Sequence, residues 1–241
     1  MTELMFRLRR SPRTLLERDG HPGPGAGRLA LVMARAGVGK TAFLVGIGVD
    51  ALLSGQKVLH VSLDRTVEKV RGWYDDMLME MLRQEKKLEH WAAIQLRMER
   101  HRHIQTFMGA SFTPEKVRQT VELLGETMEF RPDVIIVDRM DLASVEPTDV
   151  AALRAAAEAG RAELWMACRT HRDGPEPRPG HLPAPADGFE NLVDLAFSLD
   201  PHDAKVRLRV LKDDQRMLDQ NLNVVLDTST LLLMTGFAPR N

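Results

Sequence analysis

Leu29-Ala-Leu-Val-Met-Ala-Arg-Ala-Gly-Val-Gly-Lys-Thr41 decides the fold. Its first five residues are a continuous apolar run, the pattern of a strand buried on both faces of a parallel sheet. Ala34 to Thr41 then follows the phosphate-loop pattern G-x-x-x-x-G-K-[ST], with alanine in place of the first glycine. An apolar helix is expected from Lys40 to Leu53, with Gly55 as its stop. The chemistry explains the residue types. Gly37 and Gly39 let the backbone turn its N–H groups toward phosphate oxygens. The helix presents its positive end to the anion. Ala36, Gly37, Val38, Gly39, Lys40, Thr41 and Ala42 are the expected contacts, with Lys40 on the β- and γ-phosphates and Thr41 on Mg²⁺. The competing reading is a chance glycine turn. Strand, loop, Gly-Lys-Thr and helix in that order argue against it.

The alternation continues along the chain. Lys57 to Leu63 reads as a strand, Thr66 to Glu99 as one or two helices, and His103 to Phe107 as a strand. Thr113 caps a helix with Pro114 at its first position. Val134 to Val137 and Leu164 to Cys168 are further buried strands, separated by an alanine-rich helix capped by Thr148. Asp173 to Asp187 carries five prolines and reads as a long loop. Leu195 to Leu199, Val206 to Leu211, Leu222 to Leu226 and Leu231 to Met234 then read as a closing set of mostly antiparallel strands. The fold expected is α/β: a central, mostly parallel sheet flanked by helices, with antiparallel strands at its C-terminal side. Residues 1–28 read as a lead-in and 29–241 as one domain.

Arg131-Pro-Asp-Val-Ile-Ile-Val-Asp138 has the form of a Walker B strand. The carboxyl ends of strands carry the ligand site in open α/β sheets, so Asp138 is the expected partner of Thr41 in the Mg²⁺ shell. The competing reading is an ordinary strand-ending aspartate.

Bulk properties narrow the function classes. The 241 residues carry a formal net charge of −1, which gives no general attraction for nucleic acid. The lone Cys168 excludes an internal disulfide framework and fits a reducing cytoplasm. No apolar run approaches the ~20 residues that span a bilayer. Neither a membrane span nor a signal peptide is expected.

With these residues in place, the segment from Met33 to Asp64 resembles the RecA-like ATPases, in the branch of the DnaB-type replicative helicases and the KaiC clock ATPase. Ser111 to Leu124 followed by the Asp138 strand is similar to the helix–strand pair of that branch. The resemblance covers Gly20 to Met234, without the helicases' N-terminal domain. It implies an ATP- and Mg²⁺-dependent ATPase. The branch ends the strand after the loop helix in Ser-Leu-Glu, whose glutamate activates water. Here Ser62-Leu63-Asp64 puts Asp64 in that role, one methylene shorter, and a helix N-cap is its competing reading. Arg169 or His171 falls where the family carries a γ-phosphate sensor. Lys212 and Arg216 fall where it carries a lysine and an arginine finger acting on a neighbour's nucleotide, although the family spaces them by one residue and this chain by three. A homo-oligomer, as a ring or a dimer, is the implied assembly.

Other signals have plain readings. His90, His101 and His103, interleaved with arginines, read as a solvated connection, since a metal site wants acidic or thiolate partners. The proline loop lacks the aromatics of a single-strand binder, with Phe189 alone nearby. Arg7, Arg9, Arg10 and Arg13 read as a solvated tail. Two alternatives to the ATPase stay open: a non-hydrolysing nucleotide switch and a helicase-like single-stranded DNA motor.

Overall fold

β1 (Leu29–Ala34) is buried at every position. Its side chains alternate between two apolar cores. Ala30, Val32 and Ala34 enter one, and Leu29, Leu31 and Met33 enter the other. That alternation makes it a central strand with a helical layer on each face. The computed structural model describes residues 23–170, 180–202 and 205–235.

From β1 the chain enters α1 (Lys40–Leu53) and returns as β2 (Val58–Leu63). The long helical region is two helices, α2 (Val67–Gln84) and α3 (Trp91–His101), joined by a short 3-10 turn, and leads to β3 (Arg102–Phe107). Then follow α4 (Pro114–Thr127), β4 (Val134–Asp138), α5 (Pro147–Ala159) and β5 (Glu163–Arg169). The last strands are β6 (Leu195–His202), β7 (Lys205–Asp213), β8 (Arg216–Asp227) and β9 (Leu233–Thr235).

Among the described residues these strands form a nine-stranded sheet in the order β3-β2-β4-β5-β1-β6-β7-β8-β9. The block from β3 to β6 is parallel, and β7, β8 and β9 pair antiparallel. The closing strands were expected as one mostly antiparallel set. They pair antiparallel with one another from β6 to β9, and β6 also pairs parallel to β1, which joins the set to the parallel block. The architecture is α/β, a mixed sheet of mostly parallel strands flanked by helices.

The helices divide by face. α1, α2 and α3 pack on the side of Val32, and α4 and α5 on the side of Leu31. α1 is buried from Phe43 through Leu53, because β7 and β8 add Val206, Leu208, Val224 and Leu226 to the same core. Thr66 caps α2 by accepting from the Lys69 N–H (3.3 Å), and Thr113 caps α4 through Lys116 N–H (3.3 Å). The alanine-rich α5 differs from expectation. Pro147 takes its first position, so the cap falls on Glu146 rather than Thr148, and Asp149 accepts the Glu146 N–H (3.2 Å). Among the described residues no helix is long and apolar enough to cross a membrane.

Between β1 and β2 the chain passes over the places that β4 and β5 later fill. The loop after β1 and the end of β4 therefore flank β5 at one edge of the sheet, the carboxyl edge of the parallel strands.

Candidate functional site

The turn from β1 into α1 is built on two glycines. Gly37 has φ +78° and Gly39 φ +116°, conformations that strain any side chain. At Gly39 a Cβ would also lie 2.7 Å from Leu226 Cδ2 of β8. Gly39 closes the first helical bond through its carbonyl, which accepts from Phe43 N–H (2.9 Å). α1 starts with no side-chain cap and no acid in its first turn. Its first N–H groups and the positive end of its dipole are left to whatever lies above them.

Asp138 closes β4 at 1% exposure, and its Oδ2 accepts from Thr41 Oγ1 at 2.7 Å. The two residues are 97 positions apart in sequence. Burial pushes the Asp138 carboxyl above its ordinary range, opposed by the Thr41 hydrogen bond and by Arg139 and Lys40. Lys40 Nζ donates to the carbonyls of Ala34 (2.7 Å) and Arg35 (2.8 Å). Burial lowers the Lys40 amine, and the neighbouring Asp138 charge opposes that. Burial pushes the Cys168 thiol up to about 12, so it stays protonated and acts as a small core side chain.

Above these residues opens a cavity of about 820 Å³. Its floor holds Ala36, Gly37, Gly39, Lys40, Thr41 and Ala42. Arg139, Asp141 and Arg169 bring charge to one side. Trp73, Asp76, Met77, Glu80 and Arg83 of α2 make one wall, and Ser229 to Leu231 make another. That second wall is a turn fixed by Asp227, whose Oδ1 accepts from Ser229 Oγ, from Ser229 N–H (2.9 Å) and from Thr230 N–H (3.0 Å). These bonds hold the Asp227 carboxyl down at about 2.

The structure thus brings Lys40, Thr41, Asp138 and Arg169 to one cavity. Val38 packs its side chain against the α1-side core and does not line the cavity. Asp64 is placed differently. It has φ +60°, its Oδ1 accepts from Gly109 N–H (2.9 Å), and it does not line the cavity. Lys212 and Arg216 lie at the opposite, N-terminal edge of the parallel strands. Lys212, 7% exposed, donates to the carbonyls of Glu190 (2.9 Å) and Val193, and Arg216 pairs with Asp213 (3.0 Å). His171, Arg172, Arg178 and the basic residues of the N-terminal lead-in fall outside the described residues.

Compared with known proteins, the chain matches no family model, and no curated protein matches it significantly.

The oxygens present suit a small hard cation. A threonine hydroxyl and a carboxylate, 2.7 Å apart and directed at one cavity, are oxygen donors of the kind that would ligate Mg²⁺ together with phosphate and water. Among the described residues there is no group of three His, Cys, Asp or Glu side chains able to hold a metal.

Sequence reasoning missed both walls. Trp73, Met77 and Glu80 repeat at helical spacing, which marks one face of α2 but not what the face looks onto. Arg139 and Asp141 directly follow the recognised Asp138 and were legible as neighbours. Ser229 to Leu231 carried no signal.

Proposed function

We propose that the chain binds ATP with Mg²⁺ at this cavity and hydrolyses it as a RecA-like ATPase that works on or with a macromolecular partner. The contact between Thr41 and Asp138 carries the reading. Two residues picked independently, one from a glycine loop and one from a distant apolar strand, meet at 2.7 Å beside an uncapped helix start. The strand order supports it too, since it opens the crevice at the carboxyl edge.

The roles follow from the positions. N–H groups of the loop and of the first turn of α1 hold the β- and γ-phosphate oxygens. The Lys40 amine exchanges two carbonyls of its own loop for those oxygens. Arg139 and Arg169 stand at the side where charge develops on the transferred group. Thr41 and Asp138 hold the cation, which neutralises charge on the β- and γ-phosphates when bound. The α2 wall and the Ser229–Leu231 turn exclude water from the rest of the ligand. Lys40→Ala should weaken Mg·ATP binding by about 30- to 150-fold, since a charged hydrogen bond to phosphate is worth about 2–3 kcal/mol. Titration calorimetry that finds equal affinity in the variant overturns the reading.

A second reading has one observation in its favour. Asp64 is bonded to Gly109 and stands outside the cavity, which suits a nucleotide switch that does not turn over. Sustained phosphate release by the purified chain eliminates the switch, and binding without release eliminates the ATPase.

A further inference from the structure

Ser62 is the last inward residue of β2, with no solvent exposure, and its Oγ has no hydrogen-bond partner among the described residues. A buried hydroxyl without a partner is a standing cost, so its retention calls for an explanation. Its place supplies one. Ser62 is paired in register with Asp138 of β4, and register partners in a parallel ladder point to the same face. That face is the one α1 covers with Thr41. Two residues back, His60 points the same way. Its Nδ1 is 2.9 Å from Tyr74 Oη of α2, while its Nε2 is also unpartnered. Two such atoms on one strand face, beside a buried carboxylate, form a polar line leading to Asp138 rather than a scattered defect. Tyr74 in turn fits against Gly48 of α1, where a Cβ would lie 2.4 Å from its hydroxyl. The line therefore lies beneath both helices that border the cavity.

We propose that Ser62 is a positioning residue of the candidate metal–phosphate site. Its hydroxyl supports the Asp138 carboxylate when the Thr41 oxygen is drawn to a cation. The proposal rests on the nucleotide reading above for its functional consequence. In the structure Thr41 donates its proton to Asp138 Oδ2. A cation held by both residues redistributes that bond, and the carboxylate keeps its orientation only if another donor lies on its strand side. Ser62 is that donor, one strand away and dry. Asp138 is also faced by Lys40 and Arg139, but both belong to the phosphate side of the cavity.

The test separates cation-dependent positioning from general packing. ADP binding to the full chain is measured by calorimetry with Mg²⁺ and again with EDTA. Ser62→Ala should weaken binding about tenfold with Mg²⁺ and by less than about twofold without it, the loss expected for one hydrogen bond to a charged group. Ser62→Thr, which keeps the hydroxyl, should restore most of the affinity. Unchanged binding with Mg²⁺, or an equal loss in both conditions, overturns the proposal. A second measurement needs no nucleotide. Thermal unfolding of Thr41→Ala, Ser62→Ala and the double variant should be non-additive, because removing the Thr41 donor leaves Asp138 to Ser62, and additive shifts sink the Ser62–Asp138 link. If the unaltered chain binds no ADP, the nucleotide reading falls, while the unfolding cycle still decides whether Ser62 supports Asp138.

Discussion

The two ends of the parallel strands hold the same kinds of charged residue and use them in opposite ways. At the N-terminal end, Asp194 accepts the Leu29 N–H (2.8 Å) and pairs with Arg154 (3.1 Å) and Arg28. Arg154 also donates to the Leu192 carbonyl (2.7 Å), and Lys212 closes on two more carbonyls. These charges are answered by protein, and they tie the start of β1 to β6, α5 and the loop before β6. At the carboxyl end, α1 starts uncapped, Asp138 is buried against its preference for water, and Lys40 bonds only to its own loop. The first arrangement pairs its charges within the protein. The second keeps strong donors and acceptors facing a cavity, an arrangement common where a ligand is to be held.

The largest test of this contrast is the same substitution at both ends. Lys40→Ala should weaken Mg·ATP binding about 30- to 150-fold while changing the stability of the free chain by less than about 1 kcal/mol. Lys212→Ala should do the reverse. Lys212 is 7% exposed, so the two carbonyls it serves lose a donor that water cannot replace, at a cost of about 2–4 kcal/mol, whereas the Lys40 carbonyls open on the cavity and nucleotide affinity is kept in the Lys212 variant. Chemical denaturation alongside calorimetry reads both, and a stability loss at Lys40 equal to that at Lys212 breaks the comparison.

Asp138→Asn comes next. The folded-state pKa of Asp138 is raised, so its protonated form is the one the fold prefers, and stability falls as pH rises through that value. At neutral pH the neutral amide should therefore raise the melting temperature of the free chain by about 2–4 °C, the equivalent of about 1 kcal/mol. The variant should also lose the gain of about 2.7 kcal/mol that a ligand at 100 times its Kd confers. A melting temperature lowered in the absence of ligand would show that the charge stabilises the corner.

One further effect is confined to acid. His60 lies midway along β2, fully buried, and burial first and Arg102 second lower its pKa from 6.5 to about 3. A lowered folded-state value means stability that is present above pH 6.5 and is lost as the pH falls toward 3. The loss is about 1.4 kcal/mol per pH unit for one proton. His60→Gln should flatten the acid side of the stability profile by that slope, and an unchanged slope would show that His60 is not the group taking up the proton.

How far the site was legible depended on sequence distance. The loop was readable because its requirements are local. Gly37 and Gly39 occupy backbone regions that favour glycine, and Lys40 and Thr41 follow at fixed offsets along a helix start. Asp138 was readable because a buried strand is a continuous apolar run and its end falls at the sheet's edge. The cap of α5 was misplaced by two residues, since Pro147 sets the helix start more firmly than Thr148 competes for it. Ser62 was quoted only as the start of a strand-end triplet, because nothing in a one-dimensional pattern says that its hydroxyl lies beside Asp138 with no partner.

The sequence by itself determined the strand–loop–helix unit around Lys40, the buried strands and the α/β class, because apolar period and glycine conformation act over a few residues. Tertiary structure alone decided the rest. Strand order brought Asp138 to Thr41 and set Lys212 at the far end of the sheet, and helix packing turned Trp73 and Glu80 toward the cavity. Asp64 shows the difference at one residue: its place after β2 could be read along the chain, but its bond to Gly109 depends on how β3 pairs beside it.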